Sequence, residues 1–181
     1  MPECAKWYNS ALLNEVVPKK DLSEFALPDA AKDLVFMAKL TEEAERYDEM
    51  VQCMRKLVKM NSELDTEERN LLSMAYKNVI ESRRNAWRII TSIERRESAK
   101  EKSENMPFIA SFRREFETEL GAVCEDLLGL LDTYLIPASQ GCETKVFYLK
   151  TKGDYHRYYA KIAPRLSSAR PRLMPMIKQR R

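Results

Sequence analysis

Glycine is scarce, with four in a chain of 181 residues, and the eight prolines are spread thinly. A fold of many short strands needs far more turn chemistry than that, so an all-β architecture is excluded. Histidine occurs once, at His156, and the four cysteines (Cys4, Cys53, Cys124 and Cys142) form no CxxC pair. Their separation suits neither a zinc site nor a disulfide framework. We read them as reduced thiols of an intracellular protein, with no metal and no cofactor expected. Long apolar runs are missing too, and nothing approaches the roughly 18 apolar residues that a membrane span requires. The first twenty residues, MPECAKWYNSALLNEVVPKK, have no basic stretch followed by a clean apolar block, which argues against a secretory signal. There is no Gly-rich phosphate loop, nucleophile elbow or paired-carboxylate motif, so no catalytic residue is assigned and an enzyme is not expected.

What the chain has in quantity is Leu, Met, Ala, Glu, Lys and Arg, the residues that favour helices. Hydrophobic residues at 44% and charged residues at 33% are enough for one core under a well-solvated surface. The net charge of +3 is unevenly held. Residues 165–181 carry six basic residues and no acid, and taking those six from the 31 in the chain leaves 25 against 28 acidic residues. The basic character therefore belongs to a tail and does not argue for nucleic acid as a partner.

Periodicity divides the chain into an extension at 1–30, a helical domain at 31–164 and a Pro-containing basic tail at 165–181, read as disordered. The first helix covers roughly 31–44. The second places Tyr47, Met50, Val51, Met54, Leu57 and Val58 on one face and stops near Asn61. Asp65 followed by Glu68 is a capping box that starts a long third helix, about 66–97, with Leu72, Ala75, Tyr76, Val79, Trp87 and Ile90 along its apolar stripe. A fourth helix carries Phe112, Phe116, Leu120, Val123, Leu127 and Leu131 and ends at Pro137. The fifth, about 143–163, shows an aromatic face of Tyr148, Tyr155, Tyr158 and Tyr159. The fold class expected is all-α, an antiparallel bundle of five helices.

Two basic rows stand out. At about 100° per residue, Lys77, Arg84 and Arg88 fall within roughly 40° of one another on the third helix, and Lys150, Asp154, Arg157 and Lys161 align on the fifth. Facing a common cleft, the two rows would suit a phosphate, with bidentate Arg forks, Lys point charges and a phenolic hydroxyl from Tyr158. Each row reads equally as a solvated helix edge, with Asp154 making ordinary pairs to Lys150 and Arg157. Periodicity does not choose between these.

Four strings carry a resemblance. AKLTEEAERYDEM (38–50), EERNLLSMAYKNVIESRRNAWRIITSIE (67–94), ETELGAVCEDLLGLLDTYLIPAS (117–139) and TKVFYLKTKGDYHRYYAK (144–161) are similar to the corresponding stretches of 14-3-3 proteins. In that family the second commonly contains RNLLSVAYKNV and the last reads SKVFYLKMKGDYYRYLAE. The HRY version resembles plant members. The resemblance covers about 32–163 and implies an all-helical dimer that binds phosphoserine or phosphothreonine segments of client proteins in a groove. It further implies a cytoplasmic and nuclear signalling adaptor. By motif position the phosphopeptide-binding set is Lys77, Arg84, Arg157 and Tyr158, with Lys150 lining the same groove. The dimer contacts implied are Leu40, Ala44 and Arg46, with Glu119 as the acid that meets the arginine.

The departures from the family pattern are equally specific. A typical member has nine helices, of which five are matched, and the second family signature is absent. Half of the groove, including its backbone-holding asparagines and apolar wall, is then expected to be lacking, and apolar surface on the fourth and fifth helices to be uncovered. At the dimer contacts Thr41 replaces a usual Ala and Phe112 a usual Tyr. Glu115 stands where a Lys commonly faces an acid, here Glu49. The resemblance thus leaves two roles open: a phosphopeptide-binding adaptor with an impaired groove, or a non-binding module that pairs with itself or with a full-length 14-3-3 protein.

Overall fold

In the computed structural model, residues 25–100 and 104–169 are described, the last seven of them as backbone only. The expected N-terminal extension and basic tail fall largely outside these residues. Helix α1 spans Ala31–Glu43, α2 Tyr47–Met60, α3 Thr66–Ser98 and α4 Met106–Leu130. Helix α4 continues through a five-residue π turn, Leu131–Leu135, into a last turn at Ile136–Ala138, and α5 spans Cys142–Ala169. The described part of the chain is all-α, with every helix packed against its neighbour in sequence.

The boundaries have local causes. Asp65 sits in extended conformation ahead of α3, and its carboxylate accepts from the Glu68 N–H at 2.8 Å. The Glu68 carboxylate in turn accepts from the Asp65 N–H at 2.9 Å, so the capping box is closed from both sides. Helix α2 stops where Asn61 turns extended (φ −136°, ψ 110°). Between α1 and α2 the chain reverses through Glu45, the single described non-glycine residue with positive φ, at 55°. One boundary departs from expectation. The α5 backbone runs through Pro164 to Ala169 rather than ending near 163. Proline there removes one helical N–H, a loss that one turn near a helix end tolerates more readily than a helix centre does.

The α2 face forms the heart of the core, with Met50, Cys53, Met54, Leu57 and Val58 fully enclosed. It meets Leu34 and Ala38 of α1 and Leu72, Ala75, Tyr76 and Val79 of α3. Polar pairs fix the direction of the next helices. Tyr76 meets Asp126, Arg83 meets Glu119, Trp87 meets Glu117 and Glu94 meets Arg113. Numbers rise along α3 as they fall along α4, so the two run antiparallel. Lys152–Asp132 and Tyr159–Glu125 show the same for α4 and α5. Among the described residues no helix is long and apolar enough to cross a membrane.

Candidate functional site

The two basic rows do meet. Arg84 of α3 lays its guanidinium over the Tyr158 ring of α5, 4.3 Å from the ring centre, and Arg157 lies 4.8 Å from the same centre. Two guanidiniums separated by 73 positions thus share one aromatic ring, the geometry of a cation–π contact. The third helix faces the fifth across α4, whose Leu120 and Cys124 form the floor between them.

That floor belongs to a cavity of about 80 Å³. Arg84, Arg88 and Lys161 rim it, while Trp87, Leu120 and Ile162 give it an apolar interior. Cys124 is almost fully buried at its base, and burial pushes its thiol up to about 12, so it is an inert part of the wall. Asp154 accepts from Nη2 of Arg157 at 2.9 Å. That hydrogen bond, one helical turn away, raises the arginine's pKa and steers its fork. Lys77 and Lys150 stand exposed on the same two rows. Each is seven residues before its arginine, about 10 Å of helical rise. Of the five groove residues implied by the resemblance, the contacts bring together Arg84, Arg157 and Tyr158, while Lys77 and Lys150 extend the rows away from them.

Trp87 was legible only as a core residue, yet it both lines this cavity and donates its indole N–H to Glu117 at 3.0 Å. A second cavity, about 170 Å³, lies at the end of the bundle between the α2–α3 corner (Ser62 to Leu64) and the turn before α5 (Ala138 to Gly141). It has no cation in its lining.

The residues tied to dimerisation divide in two. Leu40 (51% exposed), Ala44 and Phe112 (52%) are open to solvent, joined by Phe36 and Phe108. The charged ones are engaged within the chain. Arg46 pairs with Glu49, which is buried, and Glu119 accepts from Nε of Arg83 at 3.0 Å. Thr41 is buried as well, its hydroxyl bonding back to Met37 and Ala38 of its own helix at 2.9 Å. On α5, Val146 and Leu149 are exposed, so uncovered apolar surface is present on both the fourth and fifth helices.

Comparison with known proteins gives this geometry its context. The family model described as 14-3-3 protein matches residues 37–171. The chain is 52% identical over 132 residues to the 14-3-3 family protein artA of Aspergillus flavus, covering 73% of this chain and 56% of that one. It is 55% identical over 129 residues to 14-3-3 protein epsilon of Drosophila melanogaster, covering 71% and 49%. With Protein BMH1 of Saccharomyces cerevisiae it shares 53% identity over 133 residues, covering 73% and 50%. The chain spans about half the length of the curated relatives it matches. With a family model over most of its helical residues and relatives above half identity, the chain belongs to the 14-3-3 family.

Proposed function

We propose that this protein is a phosphoserine- and phosphothreonine-binding adaptor without catalysis, acting in the cytoplasm and nucleus. The observation that carries the reading is the paired stacking of Arg84 and Arg157 on Tyr158, which holds two guanidinium forks close together at the surface. Arginine forks match phosphate oxygens bidentately, and Lys77 and Lys150 add charge along the path of an extended peptide. Titration of a fluorescent phosphoserine peptide against the folded chain, with its unphosphorylated twin as control, tests this. Phosphate-dependent binding that Arg84→Gln or Arg157→Gln weakens tenfold or more is the expected result. Equal affinity for the two peptides overturns it.

A second reading is favoured by exposed apolar side chains on two helices, Phe36 and Leu40 of α1 and Phe108 and Phe112 of α4. Exposed apolar side chains of this size suit burial against a second copy or another 14-3-3 subunit. In this reading the chain pairs but does not grip clients. Lys77→Glu separates the two, because it abolishes peptide binding and leaves pairing intact.

A further inference from the structure

The ligand-facing charges around Arg84 do not stop at a phosphate. The cavity beside Tyr158 is rimmed by three cations, Arg84, Arg88 and Lys161, and has no carboxylate in its lining. Three acids on the flanking helices are already engaged. Asp154 holds Arg157, Glu125 accepts from the Tyr159 hydroxyl at 2.8 Å, and Glu117 takes Trp87 and Arg113. Arg88 and Lys161 are exposed, and neither makes a hydrogen bond or ion pair among the described residues. At the position of Lys161 the family string quoted above ends in Ala-Glu, whereas this chain has Ala160-Lys161. The sign of the charge at the cavity's edge is therefore reversed.

Resting on the phosphate-binding reading, we propose that this site selects peptides carrying a carboxylate side chain two positions from the phosphorylated residue. The spacing gives the number. Arg88 follows Arg84 by four residues and Lys161 follows Arg157 by four, so each second cation lies about 6 Å further along its helix. An extended peptide advances about 3.3 Å per residue and returns its side chains to the same face every second residue. A phosphate between Arg84 and Arg157 thus puts the side chain two positions away beside Arg88 and Lys161. A basic residue there meets two uncompensated cations, while an aspartate or glutamate meets two partners.

The test is fluorescence anisotropy at low ionic strength with one phosphoserine peptide in four forms. Glutamate stands two positions before the phosphoserine, or two positions after it, or both positions hold alanine, or both hold arginine. One of the glutamate forms is expected to bind about three- to fivefold tighter than the alanine form, the yield of an exposed charge pair, and the arginine form more weakly. Lys161→Met should shrink the glutamate-to-arginine ratio, and Lys161→Glu should bring it to one or below. A ratio of one in the unaltered chain, or a ratio that ignores both substitutions, overturns the proposal while leaving the phosphate site standing. Absence of phosphate-dependent binding by all four peptides overturns the underlying reading together with this one.

Discussion

Arg55 of α2 and Asp126 of α4 are 71 residues apart and joined twice, with Nε and Nη2 both donating to one carboxylate oxygen at 3.1 and 2.7 Å. The Tyr76 hydroxyl of α3 donates to that same oxygen. A single carboxylate therefore ties three helices, with two of its three donors on Arg55 of α2 and the third on Tyr76 of α3. Asp126→Ala leaves the nearly enclosed Tyr76 hydroxyl without its acceptor, whereas the half-exposed Arg55 can turn to water. We expect a loss of about 2 kcal/mol in chemical denaturation, with Asp126→Asn losing clearly less because it keeps an oxygen acceptor. Equal losses for the two variants would argue that the contact is packing rather than polar bonding.

Glu117 should be the costlier site. It is 1% exposed and accepts from both Trp87 Nε1 and Arg113, whose own Nε lies 2.9 Å from Glu94. Removing it leaves the Trp87 indole without this acceptor and Arg113 with Glu94 alone, so Glu117→Ala is expected to destabilise the fold by about 2–4 kcal/mol. Trp87 fluorescence should change in the same variant, since its indole loses a hydrogen bond. A fully stable Glu117→Ala with unchanged emission would refute this account.

Alkali should unfold the protein through its tyrosines. Burial pushes the Tyr148 phenol from 10.0 up to about 12, and it raises those of Tyr76 and Tyr155 still further. The folded state keeps these protons when the unfolded chain has released them. The stability they contribute is complete below pH 10 and declines as pH rises towards 12 and beyond, by about 1.4 kcal/mol per pH unit for each tyrosine in that window. Phenolate absorbance should appear in two steps, the second coinciding with loss of the helical circular dichroism. A single step near pH 10 with helices intact would contradict it.

Tyr148 has a further property. Its hydroxyl is buried and has no hydrogen-bond partner among the described residues. Deleting an unsatisfied hydroxyl carries no penalty of a stranded partner, so Tyr148→Phe should match or exceed the parent in stability, by up to about 1 kcal/mol. A destabilised Tyr148→Phe would reveal a bond that the fold makes in solution.

Self-association gives a fifth check. Leu40→Glu places polarity among the exposed apolar side chains of α1 and Phe112→Ser among those of α4, and sedimentation should show a shift from dimer to monomer with helical content unchanged. A parent chain that is monomeric at every concentration would remove these side chains from consideration as a subunit interface.

The helices were legible because each announces itself within a few residues. The Asp65–Glu68 box, the three-four spacing of Met50, Met54 and Leu57, and the Tyr148–Tyr155 face are all local signals. The polar ties were not legible, since Arg55 and Asp126 or Trp87 and Glu117 become neighbours only after helices far apart in sequence are laid side by side. The candidate site was half legible. Helical angle put Arg84 and Arg157 on rows, and the family resemblance singled them out, but their meeting on Tyr158 and the Cys124 floor beneath depend on α4 being the helix between. Pro164 misled because a proline ends helices more often than it rides within one, and here the backbone of α5 continues past it.

Arg46 and Glu119 of the prospective subunit face are spoken for before any second copy arrives. Arg83 holds both Asp48 at 2.9 Å and Glu119 at 3.0 Å, and Arg46 holds Glu49. Recruiting Glu119 to Arg46 of another subunit is then an exchange of partners, with no net gain of ion pairs. Affinity arising that way owes little to net Coulomb attraction and should be almost flat in ionic strength. The apolar contacts of Leu40 and Phe112 would supply the driving force, and the charges would act mainly as a lock on orientation.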